Sequence, residues 1–406
     1  MNILWGLLGV ATIFAIAFLL SEGKSKINLR TILGGLAIQL LFAFLVLKWD
    51  QGRAGFEWLT LRVQELVGFA NEGILFLFGS LGDPSQAQGF IFAFNVLTVI
   101  IFFSSLISVL YYIGVMQLII RFLGGGLSKL LGTSKAESLS AAANIFVGQT
   151  EAPLVIKPYI AKMTKSELFA VMTGGLASVA GSVLFGYAAL GVPLEYLLAA
   201  SFMAAPAGLI MAKMLIPETE VSETSKEISM ENDEDAANVI DAAAKGAATG
   251  LHLALNVGAM LLAFIAIIAV INGILGGIGG LFGFENFSLD FILGFVFAPL
   301  AFIIGVPWEE AIKAGSFIGQ KLVLNEFVAF SNFAPQIEDL SDKTVAIISF
   351  ALCGFANLSS VAILLGGLGG MAPNRRQDIA RLGVRAIVAG TLANLLSAAI
   401  AGMFIF

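Results

Sequence analysis

The sequence predicts an all-α polytopic membrane protein with eight transmembrane helices. Of its 406 residues, 58% are hydrophobic and only 12% are charged, whereas soluble domains carry about 25% charged residues. Apolar runs of about 20 residues, the length that spans a bilayer, recur along the whole chain. Two other apolar stretches are interrupted by polar residues and prolines. Such breaks are tolerated at membrane depth only inside protein or beside water, which predicts two re-entrant hairpins in addition to the spans.

Composition also excludes several classes of protein. Cys353 is the single cysteine and His252 the single histidine, which excludes an intrachain disulfide and a histidine-built metal site. No basic patch with interleaved aromatic residues is present, which argues against a nucleic-acid partner. The formal charge of −6 arises mostly from residues 217–235, which hold eight carboxylates against Lys226. We therefore interpret the acidic segment 217–245 as a solvated linker.

The first two spans are predicted at residues 3–20 and 31–48. Lys24, Lys26 and Arg30 follow the first apolar run, whereas a secretory signal would place its cations before the run. The positive-inside rule keeps this basic flank in the cytoplasm and places the N-terminus outside. Residues 50–67 alternate apolar and charged residues, which predicts an amphipathic helix in the membrane interface.

The third span, 90–113, leads to a basic segment that we expect to be cytoplasmic. The stretch 137–163 is then broken between Gly148 and Pro153 and has lysines on both flanks. A full span would place one cationic flank outside, against the positive-inside rule. A re-entrant hairpin keeps both flanks in the cytoplasm, so we assign 137–163 as the first hairpin.

The remaining spans are predicted at 167–190, 194–216, 250–275, 344–368 and 384–406. The linker lies between the fifth and sixth of the eight spans, on the cytoplasmic side. A second interrupted stretch, 321–336, is then entered from the outside, opposite to the first hairpin. This alternation predicts inverted repeats and places the C-terminus outside as well.

The two interrupted stretches are the candidate binding site. The first presents Asn144, Gln149, Thr150 and Glu151, and the second presents Glu326 in apolar surroundings. An ionised carboxylate at membrane depth costs roughly 3 kcal/mol or more, so it indicates a functional site. Each stretch is followed by a small-residue helix, with residues 175–181 matching 354–360. Two such copies are typical of a repeat-built secondary transporter.

An intramembrane enzyme that uses the two glutamates as acid and base is the alternative from another class. Neither stretch supplies a nucleophile or metal ligands beside its glutamate. The repeated arrangement also needs no bond chemistry to explain it. We therefore favour a transporter over an enzyme.

Several motifs resemble those of the concentrative nucleoside transporters. They are Gly148-Gln-Thr-Glu-Ala-Pro153, Asn325-Glu-Phe-Val-Ala329 and Gly354-Phe-Ala-Asn-Leu-Ser-Ser-Val-Ala362. The likeness covers nearly the whole chain and is greatest to the bacterial, eight-span, sodium-coupled members. The resemblance implies symport of nucleosides such as uridine with sodium by alternating access, in a bacterial cytoplasmic (inner) membrane. The Thr-Glu-Ala-Pro form of the first tip favours sodium, and proton coupling is the alternative.

The resemblance also implies an architecture. It implies a homotrimer whose protomers contain interfacial helices, a static scaffold and a transport domain that moves like an elevator. On this basis 1–113 is mainly scaffold, 114–216 is the first repeat of the transport domain, and 217–245 is the cytoplasmic linker. Residues 246–280 contain the sixth span, in the scaffold, and 281–406 form the second repeat.

Individual site residues follow from the same resemblance. Those implied for the nucleobase are Gln149, Thr150 and Glu151, with Val183, Leu253 and Phe355 as apolar neighbours. Those implied for the ribose hydroxyls are Glu326, Asn357 and Ser360. The sodium ligands would be side-chain oxygens of Asn144 and Ser178 and carbonyl oxygens of Val147 and Val179. Sodium is the coupling ion, and no other cofactor is implied.

Overall fold

The computed structural model describes residues 2–86, 90–225, 236–284 and 287–405, and within these ranges it contains helices and no strand. The predicted all-α fold is therefore confirmed. In chain order the helices are α1 (Asn2–Leu19), α2 (Leu29–Ala43), α3 (Asp50–Phe78), α4 (Phe92–Asn95), α5 (Leu97–Tyr112), α6 (Val115–Leu131), α7 (Lys135–Ala143), α8 (Lys157–Ile160), α9 (Lys165–Ala177), α10 (Gly181–Ala189), α11 (Leu194–Leu215), α12 (Val239–Leu281), α13 (Leu289–Ile303), α14 (Trp308–Val323), α15 (Glu326–Phe333), α16 (Asp342–Leu352), α17 (Ser360–Met371) and α18 (Arg376–Phe404).

Six helical segments of the described chain are long enough and apolar enough to cross a membrane. They are Leu29–Lys48, Phe92–Tyr112, Lys165–Ala189, Leu194–Leu215, Val239–Leu281 and Pro373–Phe404. The pair α13 and α14, bent by 116°, would add a seventh if counted as one span. The other two predicted spans correspond to the shorter apolar helix α1 and to the broken pair α16 and α17. The count of eight therefore remains a prediction.

Two predicted spans are interrupted rather than continuous. The span 167–190 breaks after α9, where Ser178 is extended (φ −114°, ψ 170°). The span 344–368 breaks after α16, at Cys353. A Cβ on Gly354 would collide with the Asn394 amide, so a side chain there would displace that amide. Both breaks fall in the small-residue segments whose similarity indicated a repeat.

The hairpins also differ from their predicted bounds. The first is formed by α7 and, after the tip, by a 3₁₀ turn (Ala152–Ile156) and α8. The second was predicted at 321–336, but its first arm α14 begins at Trp308. Gly315 lets α14 pack closely on α13, since a Cβ there would lie 2.6 Å from the Ala298 nitrogen.

The start of the acidic linker is docked on the protein, so the prediction of a solvated linker is wrong for this part. Thr224 is 2% exposed, and its hydroxyl and that of Ser222 both donate to Glu167. Glu218 accepts a hydrogen bond from the Thr164 hydroxyl at 2.8 Å. Residues 226–235 of the acidic run lie outside the described residues. The predicted linker also ends earlier than 245, because α12 begins at Val239.

The packing of the N-terminal helices bears on the predicted division, which stays a prediction. Residues 1–113 were grouped mainly with the scaffold, yet α1 packs against α18, and α2 packs against α11. Both partners fall in the predicted repeats. By contrast α5 packs along α12, in agreement with the prediction that both belong to the scaffold. Gly246 and Gly250 of α12 allow the two helices to approach closely. The amphipathic helix predicted at 50–67 is α3, which continues to Phe78.

Candidate functional site

The two hairpin tips and the two helix breaks meet through backbone hydrogen bonds. Gly181 donates to the Phe146 carbonyl at 3.0 Å, joining the first tip to the first break. Leu358 donates to the Leu322 carbonyl at 3.3 Å, joining the second tip to the second break. Phe355 donates to the Ser178 carbonyl at 3.1 Å, joining the two breaks. Residues far apart in sequence thus form one irregular region between helices.

Glu326 is the centre of a buried polar group at the second tip. It is 6% exposed, and its Oε2 accepts from Asn357 Nδ2 at 2.9 Å. Asn357 Oδ1 in turn accepts from the backbone nitrogen of Ser360 at 3.0 Å and from the Ser359 hydroxyl at 2.7 Å. These donors fix the orientation of the Asn357 amide, so that its NH₂ faces the carboxylate. The three residues implied for ribose binding are therefore brought together.

Tyr187 belongs to this group and was not identified from the sequence. Its hydroxyl donates to Glu326 Oε1 at 3.3 Å. Its ring stacks on Phe330 with centroids 4.3 Å apart and meets the edge of Phe327 at 4.7 Å. A single tyrosine in an apolar helix is usually a core residue, so no local pattern indicated this contact.

The first tip presents the residues implied for the nucleobase. Gln149 is 5% exposed and its Oε1 has no hydrogen-bond partner, whereas Glu151 is exposed and Thr150 is half-buried. Close packing fixes the tip, because a Cβ on Gly175 would lie 2.8 Å from Gln149 Cβ and one on Gly367 would lie 2.7 Å from Thr150 Cγ2. An unpaired buried amide oxygen can accept a hydrogen bond from a ligand.

The apolar neighbours lie on three different elements. Val183 is buried in the first turn of α10, Phe355 is half-buried in the second break, and Leu253 is half-buried on α12. Val183 and Tyr187 occupy the same helix one turn apart, so α10 contributes both to the apolar surface and to the Glu326 group. Leu253 is the one site residue predicted on the α5–α12 pair.

The residues implied for sodium supply oxygen atoms that fit a hard cation. Asn144 ends α7; its Nδ2 donates to the Ser140 carbonyl at 3.0 Å, while its Oδ1 is buried and has no donor. Ser178 donates to the Gly174 carbonyl at 3.0 Å, which leaves its oxygen lone pairs available. The Val147 and Val179 carbonyls accept no backbone hydrogen bond from the described residues. Unwound backbone beside neutral side-chain oxygens is typical of sodium sites in transporters.

Comparisons with family models cover nearly the whole chain. Models described as Na⁺ dependent nucleoside transporter C-terminus and N-terminus match residues 196–402 and 8–81. A model described as nucleoside recognition matches residues 93–194.

Individual proteins are similar over their full length. The chain is 67% identical over 406 residues to an uncharacterized transporter of Bacillus subtilis, covering 100% of each chain. It is 52% identical over 411 residues to the nucleoside permease NupC of Helicobacter pylori, covering 99% of this chain and 98% of the permease.

The fold matches solved structures of CNTnw. The inward-facing substrate-bound state has a TM-score of 0.94 at 58% identity, covering 100% of this chain and 98% of CNTnw. A double variant in an outward-facing state has a TM-score of 0.97, also at 58% identity and with the same coverage of both chains.

Proposed function

The chain belongs to the family of Na⁺-dependent nucleoside transporters, and we propose that it moves nucleosides into the cell together with sodium by alternating access. As a member of this family it is a nucleoside-transporting multi-pass membrane protein and not an enzyme. The observation that carries the proposal is the pairing of two features in one region. The second tip holds a hydrogen-bonded carboxylate, and the first tip holds an unpaired amide oxygen beside free carbonyls.

The ribose is bound at the second tip in this proposal. Its adjacent hydroxyls are donors, and an ionised carboxylate is the strongest acceptor that a side chain offers. Glu326 accepts from the sugar, Asn357 donates to the carboxylate, and Ser360 holds Asn357 through its backbone nitrogen. Asn357 and Ser360 also contribute their own polar atoms. A site built for these hydroxyls disfavours analogues that lack them, because its own groups are left unpaired.

The nucleobase is bound at the first tip. Gln149, Thr150 and Glu151 provide both donors and acceptors for the edge of a base, and the Gln149 oxygen has no partner within the described protein. Val183, Phe355 and Leu253 supply the apolar surface against the faces of the base. Uridine is the reference substrate for this proposal.

Sodium is the proposed coupling ion. Asn144 and Ser178 supply side-chain oxygens, and Val147 and Val179 supply carbonyl oxygens. The ion would thereby order the segment that carries Gln149 and Glu151. Proton coupling is the second candidate, because carboxylates lie at both tips.

The proposed moving body is larger than the sequence indicated. We assign α5 and α12 to the static scaffold, through which protomers would assemble as a homotrimer. The two repeats move with α1 and α2, since these helices pack on α18 and α11. We propose a bacterial cytoplasmic membrane as the location, with both termini outside the cytoplasm.

Uptake into proteoliposomes tests this function. An inward sodium gradient is expected to drive uridine accumulation above the equilibrium level, and replacement of sodium by choline is expected to abolish it. Accumulation driven equally well by a proton gradient in choline would favour the second candidate. Equilibration without accumulation under either gradient would contradict symport altogether.

A further inference from the structure

A buried lysine lies beside the second hairpin tip. Lys321 is on α14, just before the tip that carries Glu326, and it is 1% exposed. Its ammonium donates to the carbonyl oxygen of Ala351 at 2.7 Å and to Asn394 Oδ1 at 2.7 Å. Neither acceptor is a carboxylate. A charge removed from water needs compensation, so the protein uses neutral oxygens to hold this cation.

The Asn394 amide connects this lysine to both broken helices. Its Nδ2 donates to the Ala177 carbonyl at 2.6 Å, where α9 ends, and to the Cys353 carbonyl at 3.0 Å, just beyond the end of α16. Because both amide hydrogens are used in this way, Oδ1 is left to accept from Lys321. The charge thus polarises a chain of hydrogen bonds that reaches the breaks of both repeats.

The first repeat has a similar arrangement without an ammonium. Its first hairpin arm ends at Asn144, whose Oδ1 is buried without a donor. Among the described residues the fully buried cations are Lys213 and Lys321. Lys213 pairs with Glu137 at 2.7 Å, in the first turn of α7 and therefore at the opposite end of that helix from Asn144. In the second repeat Lys321 lies near the end of the first hairpin arm, as Asn144 does in the first repeat, and its ammonium bonds to Asn394 Oδ1 on α18.

We propose that Lys321 is a built-in cation that does for the second repeat what the transported sodium does for the first. This inference rests on the proposed sodium coupling. In each repeat a positive charge between the hairpin arm and the broken helix stabilises the freed carbonyls and orders the tip. In the second repeat the charge is covalently attached, so that tip is ordered before any ion binds. Only the first hairpin then responds to sodium, and one sodium ion accompanies each nucleoside.

Nucleoside binding to Lys321→Met tests the positioning role of the lysine. Methionine keeps an unbranched apolar side chain but removes the charge and its donors, leaving the oxygens of Ala351 and Asn394 unpaired. Uridine affinity is expected to fall about 10- to 100-fold. Higher sodium is not expected to restore it, because the sodium site lies in the other repeat.

Asn144→Ala is the matched contrast for that measurement. Its loss of uridine affinity is expected to be restored in part by higher sodium, because the defect is in the ion site itself. Both variants are compared by calorimetry on purified, full-length protein over a sodium series. A folded Lys321→Met protein with wild-type uridine affinity, or one that higher sodium restores, overturns the proposal.

The number of charges that cross the membrane with each nucleoside tests the inference on the wild-type protein, without any substitution. The reversal potential of uridine-dependent current in proteoliposomes containing the wild-type protein is expected to correspond to a single positive charge per uridine. Two charges per uridine, both carried by sodium, would overturn the role of Lys321 while leaving sodium-coupled transport intact. A wild-type current that does not respond to sodium would contradict the proposed function itself.

Discussion

The two tip carboxylates have different surroundings, which suits them to different tasks. Glu326 is buried and receives hydrogen bonds from Tyr187 and Asn357. Glu151 is exposed, on a tip whose Gln149 oxygen has no partner. A carboxylate fixed by two donors suits a ligand of constant shape such as a sugar. An exposed carboxylate on a polar edge can pair with the base, whose pattern of donors and acceptors differs among nucleosides.

Glu326→Gln tests the ribose assignment. The amide keeps the shape of the side chain but removes the anionic acceptor, whose hydrogen bonds are worth about 1.5–3 kcal/mol. Uridine affinity is expected to fall about 10- to 100-fold, and 2′-deoxyuridine affinity is expected to fall less. Glu338→Gln, at an exposed residue near the same hairpin, is the control. An unchanged ratio between the two affinities would remove Glu326 from the ribose site.

Tyr187→Phe tests whether the tyrosine hydroxyl positions Glu326. Phenylalanine keeps the stack on Phe330 but removes the donor to the carboxylate, so the fold is expected to be preserved. Uridine affinity is expected to fall about 5-fold or more, in line with the loss of one hydrogen bond to a charged group. Tyr196→Phe, on α11, is the control. A fall in Tm with unchanged affinity would indicate that Tyr187 only packs.

At the level of elements, the hairpin tips were predictable because their signals are local, whereas the two broken helices were predicted as continuous spans. Gly148, Pro153 and the lone Glu326 mark irregular backbone within a few residues. The contact between Tyr187 and Glu326 joins residues that are 139 positions apart, and no local pattern encodes it. The packing of α1 on α18 was missed for a related reason. A helix that is apolar on all sides does not indicate which neighbour it meets.

The base of the first hairpin is stabilised by a network that the sequence did not reveal. Ser134 with Glu137, and Thr164 with Glu167, form capping boxes that start α7 and α9. Lys213, at the end of α11, pairs with the buried Glu137. The docked start of the linker supplies further donors to Glu167. The network therefore joins α7, α9, α11 and the start of the linker at the base of the first hairpin.

Lys213→Met tests this network. It leaves Glu137 as a buried carboxylate without its cation, which typically lowers the free energy of unfolding by about 3–5 kcal/mol. The double variant Lys213→Met with Glu137→Gln is expected to recover part of that loss, because no unpaired charge remains. Arg62→Ala breaks an exposed pair and is expected to change stability by less than about 1 kcal/mol. If thermal unfolding shows that Lys213→Met and Arg62→Ala lose the same amount of stability, the proposed role of the Lys213–Glu137 pair is wrong.

At the scale of the whole molecule, the proposed movement requires contacts that slide. The scaffold pair α5 and α12 meets the repeats mainly through α10, where Phe103 stacks on Phe185 with centroids 3.6 Å apart. Apolar ring contacts of this kind are not directional, so they can be exchanged for similar ones. The hydrogen-bonded tips and breaks would travel together as one body.

The proposed orientation in the membrane can be tested by labelling. Cys353 is buried and is expected to react slowly with a charged maleimide. A cysteine introduced by Thr219→Cys, at an exposed linker position, is expected to react only from the cytoplasmic side. If an impermeant reagent labels this cysteine in intact cells, the linker lies outside the cell and the orientation proposed for every element is reversed.

The most direct test of sodium coupling is uridine affinity as a function of sodium concentration. An ion at Asn144 and Val147 orders the segment that carries Gln149 and Glu151, so sodium removes part of the conformational cost of binding uridine. Linkage of about 1–3 kcal/mol, or roughly 5- to 150-fold in affinity, is the usual range. Calorimetry on purified protein is expected to give this increase between choline and sodium at constant ionic strength and pH. Equal uridine affinities in the two salts would contradict sodium coupling and would favour proton coupling.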